Sequence, residues 1–273
     1  MSIQNISFII PAYNSSNTIK EAIDSILNQN FSKGDEIIIV NDGSIDQTKK
    51  ILNKLKKMNK YHNNLIIINH DKNYGGGKAR NTAVKNSKND LIFCLDADNI
   101  LLPKTIKPLK NKLFKEKTDI AAFEKIDFFL IKKFFKIFKY KKITHQWKFK
   151  FNKNYKLKDY FNNKINPGSS GNYLFTKQSW QKTGGYPEDS GALDTWGFGF
   201  RQMAHNCRLC LLRNYSYLHR YGYKSYWIRD SQNKNLSKEA FKFVRPYLNL
   251  IDDKTKNHIK KNPETWFNDY YKI

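Results

Sequence analysis

Two aspartates stand directly after a short apolar run in the segment LIFCLDADNI, residues 91–100. If the extended chain continues through the turn, Asp96 and Asp98 point to the same side, because they are two residues apart. Two converging carboxylates form a hard-oxygen site that suits a divalent cation or the hydroxyl groups of a sugar. Aspartate is also common in turns and helix caps, so this pattern alone leaves a solvated loop open.

The elements that position these carboxylates alternate between strand and helix. Apolar runs predict strands at 6–10, 36–40, 64–69 and 91–95. Helices are predicted after a capping box of Thr18 and Glu21, after a second capping box of Ser44 and Gln47, from Gly75 to Val84, and from Pro103 onward. This alternation predicts an α/β fold with a mostly parallel sheet, in which ligands bind beyond the carboxyl ends of the strands.

Three further motifs follow predicted strand ends: PAYN at 11–14, NDGS at 41–44 and NYGGGKARN at 73–81. The glycines that begin at Gly75 allow the backbone to approach a ligand closely, and Lys78 and Arg80 supply cationic donors that suit a diphosphate. The segment is neither a Walker A loop nor a convincing dinucleotide fingerprint. A surface helix start with two basic residues remains the alternative, because lysine is frequent throughout the chain.

Taken in chain order with LDADN, these motifs resemble the nucleotide-sugar half of the family 2 glycosyltransferases, closely over residues 3–105 and again near 170–220. The resemblance implies a GT-A type, Rossmann-like sandwich with a mostly parallel central sheet and a C-terminal acceptor-side extension. It places the base against the backbone and ring of PAYN, where Tyr13 offers a stacking face, and it makes Asp42 accept a hydrogen bond from the base. The implied nucleotide-sugar-binding residues are Pro11, Ala12, Tyr13, Asn14, Asp42, Gly75, Lys78, Arg80, Asp96 and Ala97.

The segment KTGGYPEDSGALDTWGFGFR, residues 182–201, resembles the acceptor-side segment of the same family. Asp194 matches the position of the family's catalytic base, which takes the proton from an acceptor hydroxyl. Glu188 and Asp189 form a literal ED pair a few residues earlier, so Asp189 remains an alternative base. Asp194 also suits the N-cap of the helix that follows it.

The resemblance further implies a divalent cation, Mn²⁺ or Mg²⁺, which Asp98 would hold against the donor's diphosphate. His219 follows a predicted strand, where some GT-A enzymes place a metal-binding histidine. A neutral imidazole can join such a site. A lone histidine among aromatic residues is more often packed against them or in contact with the acceptor.

The implied reaction is transfer of a sugar from a nucleotide-diphosphate sugar, with a UDP-sugar favoured, to an acceptor hydroxyl with inversion, in glycan or polysaccharide assembly. Residues 1–105 would bind the nucleotide sugar, residues 106–230 would bind the acceptor and carry the base, and residues 231–273 would form a helical tail. Trp266, Tyr270 and Tyr271 are available to dock that tail. A catalytically inactive relative that binds sugar nucleotides is the alternative.

The middle of the chain departs from the family's common core through a basic aromatic insertion at about 125–158. On a helical projection from Phe128 to Lys139, Leu130, Ile131, Phe134, Phe135 and Phe138 share one side, and Lys132, Lys136 and Lys139 share the other. The pattern predicts an amphipathic helix that either contacts an acidic membrane surface, which suits a lipid-linked acceptor, or packs its phenylalanines on the domain.

Composition limits the remaining function classes. The formal net charge of +25 predicts attraction to anionic partners. The basic residues are dispersed and no nucleic-acid-binding motif occurs, so no nucleic acid is expected, and a basic nucleic-acid-binding protein is a weaker alternative. Cys94, Cys207 and Cys210 favour a reducing compartment and no zinc site. No signal peptide or membrane-spanning run is recognised, which predicts a cytoplasmic protein, peripheral at the inner membrane face if the helix binds lipid.

Overall fold

The computed structural model describes residues 4–58, 60–61, 64–134, 138–150, 156–161, 170–222 and 236–267. The strands of these residues are β1 Ile6–Ala12, β2 Glu36–Asp42, β3 Leu65–His70, β4 Leu91–Cys94, β5 Ile100–Leu101, β6 Ile120–Phe134, β7 Phe138–Lys148, β8 Leu174–Thr176 and β9 Leu209–Arg220. The α-helices are α1 Ile19–Leu27, α2 Thr48–Lys56, α3 Gly76–Lys85, α4 Ile106–Glu116, α5 Lys177–Lys182, α6 Asp194–Ala204, α7 Leu236–Val244 and α8 Asp253–Lys261, with 3₁₀ turns at Leu157–Phe161, Gly191–Leu193 and Arg245–Leu250.

The described strands form one mixed sheet in the order β3-β2-β1-β4-β8-β6-β9-β5, with β7 paired to β6. Strands β1 to β4 pair in parallel, and so do β6 and β9, whereas β8, β5 and β7 pair antiparallel to their neighbours. Strands β2 and β4 are buried along their whole length, as expected of a parallel sheet covered on both faces. The predicted α/β fold with a parallel core is confirmed.

The predicted helix starts need correction, because neither capping box forms. Thr18 lies at the N-cap of α1, but its side chain makes no capping hydrogen bond. Helix α2 begins at Thr48, whose backbone N–H donates to Asp46 Oδ1 at 2.9 Å. Ser44 accepts instead from the backbone N–H of Asn14 at 3.0 Å, which joins the loop after β1 to the loop after β2.

Two further boundaries differ from the sequence predictions. Pro103 lies in a turn, and α4 begins only at Ile106. Strand β4 ends at Cys94, and the backbone N–H of Asn99 donates to the carbonyl of Asp96 at 3.0 Å. Residues 96–99 therefore form a turn, so the condition that Asp96 and Asp98 continue an extended strand is not met.

The predicted amphipathic helix over Phe128–Lys139 is wrong, because the described residues of this stretch, 128–134 and 138–139, belong to the antiparallel hairpin of β6 and β7. Phe128 and Phe129 are both buried although they point to opposite faces, since the sheet is covered on each side at this point. Phenylalanine and isoleucine also suit strands, and pairing with β9 and β7 overrides the helical periodicity. Phe135 and Lys136 of the predicted helix lie outside the described residues. The membrane contact inferred from that helix loses its basis.

The C-terminal tail is helical as predicted and contains α7 and α8. Trp266 is fully buried, and its indole N–H donates to the carbonyl of Ser237 within the tail at 3.2 Å. Its ring centroid lies 6.2 Å from that of Phe161, so it docks the tail as expected. Tyr270 and Tyr271 lie outside the described residues. In the described ranges, no helix combines the length and the apolar character that crossing a bilayer requires.

Asp24 joins α1 to the segment after α2, because its carboxylate accepts hydrogen bonds from Lys20 at 2.5 Å, Lys60 at 2.9 Å and Tyr61 at 2.7 Å. Partial burial raises the pKa of Asp24, but these hydrogen bonds outweigh it and lower the pKa to about 2. In the unfolded chain the pKa is about 4. The carboxylate therefore stabilises the fold above about pH 4, and this contribution is lost as the pH falls toward 2.

We predict that Asp24→Asn lowers the free energy of unfolding by about 1 kcal/mol at pH 7. The difference from the wild-type protein should shrink as the pH falls from about 4 toward 2, as measured by urea unfolding across that range. Asp253→Asn is the control, since the Asp253 side chain is 87% exposed and pairs with Lys256 at the surface. Equal effects of the two substitutions at every pH would contradict the prediction.

Candidate functional site

Arg80, from the first half of α3, joins two carboxylates at the carboxyl end of the sheet. One terminal guanidinium nitrogen donates to Asp96 Oδ1 at 2.6 Å, and the other donates to Asp194 Oδ2. Asp96 follows β4, and Asp194 is the first residue of α6, 114 positions after Arg80 in the chain. The site therefore brings together the two acidic motifs that the sequence placed in separate halves.

The Arg80 guanidinium is buried, and its charge is balanced by these two acids. Burial acts to lower the pKa of Arg80, but Asp194 and Asp96 outweigh it and hold the pKa well above the usual value. Burial raises the pKa of the Asp194 carboxyl, and Arg80 opposes that rise. Asp194 is therefore a stronger base than an exposed aspartate, while Arg80 fixes its position.

The Asp96 carboxylate accepts hydrogen bonds from three side chains of the described residues. Besides Arg80, it accepts from the side-chain amide of Asn172 at 2.8 Å and of Asn99 at 3.3 Å, both through Oδ2. The Asp96 backbone N–H donates to Asn172 Oδ1 at 2.8 Å. Sequence analysis gave Asn172 no role, because an asparagine ahead of a short strand carries no local signal for a partner 76 residues away.

Asp98 is less well paired. Burial and the neighbouring charge of Asp96 raise the pKa of Asp98 to about 6, against the opposing effect of Arg220. Arg220 donates to the backbone carbonyl of Asp98 at 3.1 Å and to Glu21 at 2.6 Å, so it holds the turn without bonding to the Asp98 carboxylate. A partly buried carboxylate without a bonded cation is chemically suited to bind a hard metal ion.

His219 lies beside this turn and is bound to it. Asn99 Oδ1 accepts from the backbone N–H of Arg220 at 3.1 Å, so the Asn99 amide nitrogen faces His219 Nδ1 at 3.2 Å. Burial lowers the pKa of His219 to about 4, so the imidazole is neutral at pH 7. Because Nδ1 accepts from Asn99, the proton sits on Nε2, and neither nitrogen is free for a metal. Ligation by His219 stays a prediction that requires Asn99 to move.

Asp42 organises the glycine-rich segment. Its carboxylate accepts from the backbone N–H of Tyr74 at 3.0 Å and of Gly75 at 2.8 Å, and it is paired with His70 Nδ1 at 2.6 Å. Gly75 has a φ of 94°, a conformation that strongly favours glycine. The predicted contact between Asp42 and a nucleotide base stays a prediction, and the structure adds His70 as the partner that sequence analysis missed.

The loop after β1 presents its aromatic residue to solvent. Pro11 and Ala12 end the strand, and Tyr13 is 41% exposed, so its ring is accessible for stacking. Asn14 has a φ of 49°, and its Oδ1 accepts from the backbone N–H of Ile45 at 2.9 Å. The first two strand ends thus form one connected edge, as the four motifs predict for a nucleotide site.

Asn81 and Lys78 fasten α3 to the acceptor-side segment. Asn81 Oδ1 accepts from the Tyr186 backbone N–H and the Trp180 indole N–H, both at 2.9 Å, and its amide nitrogen donates to Glu188 at 2.9 Å. Lys78 pairs with Glu188 at 3.0 Å. Both Lys78 and Arg80 therefore contact acids, where the sequence predicted contacts with a diphosphate.

The two candidate bases differ in their surroundings. Asp194 is buried against Arg80, and its Oδ1 accepts from the backbone N–H of Thr195 at 2.7 Å. It is the first residue of α6, which makes Leu193 and not Asp194 the N-cap. Asp189 is exposed. Ala97, predicted to contact the donor, lies buried between Asp96 and Asp98 in the turn after β4.

The cysteines take no part in this site as thiolates. Cys207 and Cys210 are buried, and burial raises the pKa of each thiol to about 11. Within the described residues, no group of three or more histidine, cysteine or acidic side chains is arranged to hold a metal ion. A cation held by Asp98 would therefore need ligands beyond the histidine, cysteine and acidic side chains of the described residues, such as oxygens of the substrate or water.

An α/β sheet with carboxylates and a glycine-rich segment beyond its parallel strands is the arrangement of the GT-A glycosyltransferases. A model of the family described as glycosyl transferase family 2 matches residues 7–177, and the chain belongs to this family. The resemblance drawn from the motifs is thereby confirmed.

Solved structures share the fold at low sequence identity. TarS of Staphylococcus aureus, solved as residues 1–349 in complex with UDP-GlcNAc, matches 98% of this chain and 74% of that chain with a TM-score of 0.71 and 20% identity. The mannosyltransferase PcManGT from Pyrobaculum calidifontis, in complex with GDP-Man and Mn²⁺, matches 97% of this chain and 72% of that chain with a TM-score of 0.62 and 15% identity.

Curated relatives match over less than half of the chain. The poly-beta-1,6-N-acetyl-D-glucosamine synthase of S. aureus strain MSSA476 is 35% identical over 99 residues, which are 36% of this chain and 23% of the relative. The poly(ribitol-phosphate) beta-glucosyltransferase of Bacillus spizizenii is 39% identical over 118 residues, which are 42% of this chain and 18% of the relative. The matched part is less than a quarter of either relative.

We predict that Arg80→Ala lowers the free energy of unfolding by about 3 kcal/mol, because it leaves the buried Asp194 and the partly buried Asp96 without their cation. In the Arg80→Ala background, Asp194→Asn should recover part of this loss, since it removes one of the two unpaired charges. Urea unfolding of the wild-type protein, both single variants and the double variant measures the coupling.

Lys78→Ala is the control for the Arg80 cycle. The Lys78–Glu188 pair is more than a third exposed on both sides, so its loss should change stability by less than about 1 kcal/mol. Strictly additive effects of Arg80→Ala and Asp194→Asn would show that Arg80 does not balance the charge of Asp194.

Proposed function

We propose that this chain transfers a sugar from a UDP-sugar to an acceptor hydroxyl, with inversion at the anomeric carbon and with a divalent cation, in glycan or polysaccharide assembly. The observation that carries the proposal is the Arg80 bridge, which holds Asp194 beside the acidic turn after β4. The names of the relatives support this reaction class, and UDP-GlcNAc is the first donor to test because TarS was solved with it.

The nucleotide would lie across the connected edge of β1, β2 and α3. Tyr13 supplies an exposed ring for the base, and Asp42 holds the glycine-rich backbone at Gly75 in place. We assign residues 1–105 to donor binding and residues 106–230 to acceptor binding. Arg80 acts as a positioning residue, because both of its terminal nitrogens already bond to carboxylates.

Asp194 is the proposed general base. It takes the proton of the acceptor hydroxyl while that oxygen attacks the anomeric carbon, and the bond from that carbon to the diphosphate breaks on the opposite face. Each carboxylate oxygen can accept more than one hydrogen bond, so the contacts to Arg80 and Thr195 leave capacity for the proton. Because the raised pKa of Asp194 strengthens it as a base, burial serves this step.

Asp98 fits a divalent cation by its chemistry, since its carboxylate is partly buried and no ion pair among the described residues involves it. When bound, Mn²⁺ or Mg²⁺ would neutralise charge on the departing diphosphate. The turn of residues 96–99, held by Arg220 and Asn99, fixes the position of Asp98.

We predict that Asp194→Asn reduces the turnover of sugar transfer by about 10²- to 10⁴-fold, while UDP binding measured by calorimetry stays within about threefold. Asparagine keeps the shape and one acceptor oxygen, so Arg80 retains a partner. Asp189→Asn is the matched control and should retain turnover. Loss of turnover in Asp189→Asn and not in Asp194→Asn would move the base to Asp189.

We predict that Asp98→Asn weakens Mn²⁺ binding at least about tenfold, because it removes the charged oxygen ligand. Electron paramagnetic resonance of free Mn²⁺ in the presence of UDP measures this directly. EDTA should abolish the hydrolysis of UDP-GlcNAc, and added Mn²⁺ should restore it. Hydrolysis that is indifferent to EDTA would remove the cation from the proposal, and absence of both UDP binding and hydrolysis would remove the transferase activity.

A further inference from the structure

A group of aromatic rings covers one face of the hairpin, next to the carboxylates of the site. Phe128 of β6 is paired with His145 of β7 and with His219 of β9. Ile126, two residues earlier, is paired with Trp147 and with Tyr217. Residues paired directly across a sheet share a face, so we call Phe128, His145, Trp147, His219 and Tyr221 the aromatic face.

The rings of the aromatic face touch one another around a buried centre. Phe128 is 4% exposed, and its ring centroid lies 4.3 Å from His145, 4.6 Å from Trp147 and 4.8 Å from His219. Tyr221 packs edge-on against His145 at 5.4 Å. Trp147 and Tyr221 remain 42% and 46% exposed. Neighbouring rings thus hold two large aromatic side chains in place while solvent reaches them.

The aromatic face is continuous with the proposed reaction site. His219 contacts Asn99, which also donates to Asp96. The hydroxyl of Tyr217 lies 3.4 Å from the Asn172 amide nitrogen, which donates to Asp96 as well. Asp96 in turn shares Arg80 with Asp194. A molecule lying on these rings would therefore reach toward the proposed base.

Two lysines stand farther out on the same face. Lys132 of β6 lies four residues after Phe128, so it is on the same face of the strand. Lys142 of β7 is paired with Leu130, which also lies on that face. A β-bulge near Thr144 inserts one residue, which keeps Lys142 on the side of His145. Both lysines are exposed, and none of the ion pairs of the described residues involves them. Lys141, on the opposite face, pairs with Glu21 at 2.6 Å. At about 3.3 Å per residue, Lys132 lies roughly 13 Å along the strand from Phe128.

We propose that the aromatic face, with Lys132 and Lys142, is the acceptor subsite for a glycan or polyol chain that carries phosphate groups. The carbon–hydrogen face of a sugar or the carbon chain of a polyol packs on Trp147 and Tyr221, as apolar groups do on aromatic rings. A phosphate farther along the chain meets the two lysines. This assignment rests on the proposed function, because it places the acceptor beside Asp194.

Two other anionic partners combine apolar and charged groups, namely an acidic lipid surface and single-stranded RNA. The contacts with Asn99 and Asn172 favour a glycan, because they join the rings to the proposed reacting centre and not to a separate surface. Both alternatives become outcomes of the same binding experiment.

The test measures direct binding of a synthetic ribitol-phosphate octamer to the wild-type protein by calorimetry, without donor. We expect Trp147→Ala and Tyr221→Ala each to weaken binding at least about tenfold. Trp147→Phe should keep affinity within about threefold, because it retains a ring. The double variant K132A/K142A should weaken binding and reduce its dependence on salt.

Phe114→Ala is the matched control. Phe114 is 40% exposed on α4, at the opposite end of the sheet, where it borders a surface cleft beside Leu91 at the start of β4. Its removal should leave octamer binding unchanged. Circular dichroism of every variant checks the fold. Chitooctaose tests the role of phosphate: because it carries none, it should bind the wild-type protein more weakly than the octamer does.

Several results would overturn the assignment. The first is no octamer binding by the wild-type protein, and the second is unchanged octamer binding in Trp147→Ala and Tyr221→Ala. Tighter binding of oligouridine than of the octamer would favour RNA. If Trp147→Ala weakened binding to phosphatidylglycerol vesicles and not to the octamer, the aromatic face would be a lipid contact. Because the assay needs no turnover, its outcome is separate from UDP binding and UDP-GlcNAc hydrolysis, which test the proposed function.

Discussion

The Arg80 guanidinium between Asp96 and Asp194 is the interaction on which the candidate site depends. Without a cation at that point, the buried carboxylate of Asp194 would face the partly buried carboxylate of Asp96, and burial would favour the neutral acid form of Asp194. With Arg80 present, one terminal nitrogen fixes each carboxylate. A single side chain therefore sets the position of the acidic turn after β4 and the position of the proposed base at the start of α6.

Small residues allow this bridge to form. A Cβ on Gly77 would lie 2.1 Å from the Pro187 carbonyl oxygen, and a Cβ on Gly76 would lie 2.5 Å from Asp194 Oδ2. The start of α3 can therefore approach the backbone of the acceptor-side segment only with glycine at position 77, and a Cβ at position 76 would displace the Asp194 carboxylate or the Arg80 guanidinium from the bridge. Asn81, the next residue after Arg80, then bonds to Tyr186 and Glu188. The motif NYGGGKARN thus connects α3 to the acceptor-side segment, in addition to any contact it makes with a donor.

Sequence patterns predicted the parts of the fold that local chemistry determines. The strands of the parallel core are short apolar runs, each followed by its motif, because buried strands and the polar residues at their ends lie next to each other in the chain. The partners of those motifs were not predictable in this way. Long-range packing brings His70 to Asp42 and Asn172 to Asp96. It also brings carboxylates to Lys78 and Arg80, where the sequence predicted contacts with a diphosphate. The lysines and phenylalanines of the hairpin also fit a helical period, so its sequence predicts a helix, and only pairing with β9 decides between the two.

The chain carries a formal net charge of +25, although it contains 24 acidic residues. Many acids are used inside the fold: Asp35 accepts from the backbone N–H of Ile6, Glu124 from that of Asn214, and Asp42 and Asp194 support the site. The formal net charge of +25 already counts these acids, so the field outside the protein is strongly positive. Such a field raises the local concentration of anionic molecules, which both a nucleotide-diphosphate sugar and a phosphate-bearing acceptor would be. Recognition then falls to the site itself, where the carboxylates are held by Arg80 and the exposed rings by the hairpin.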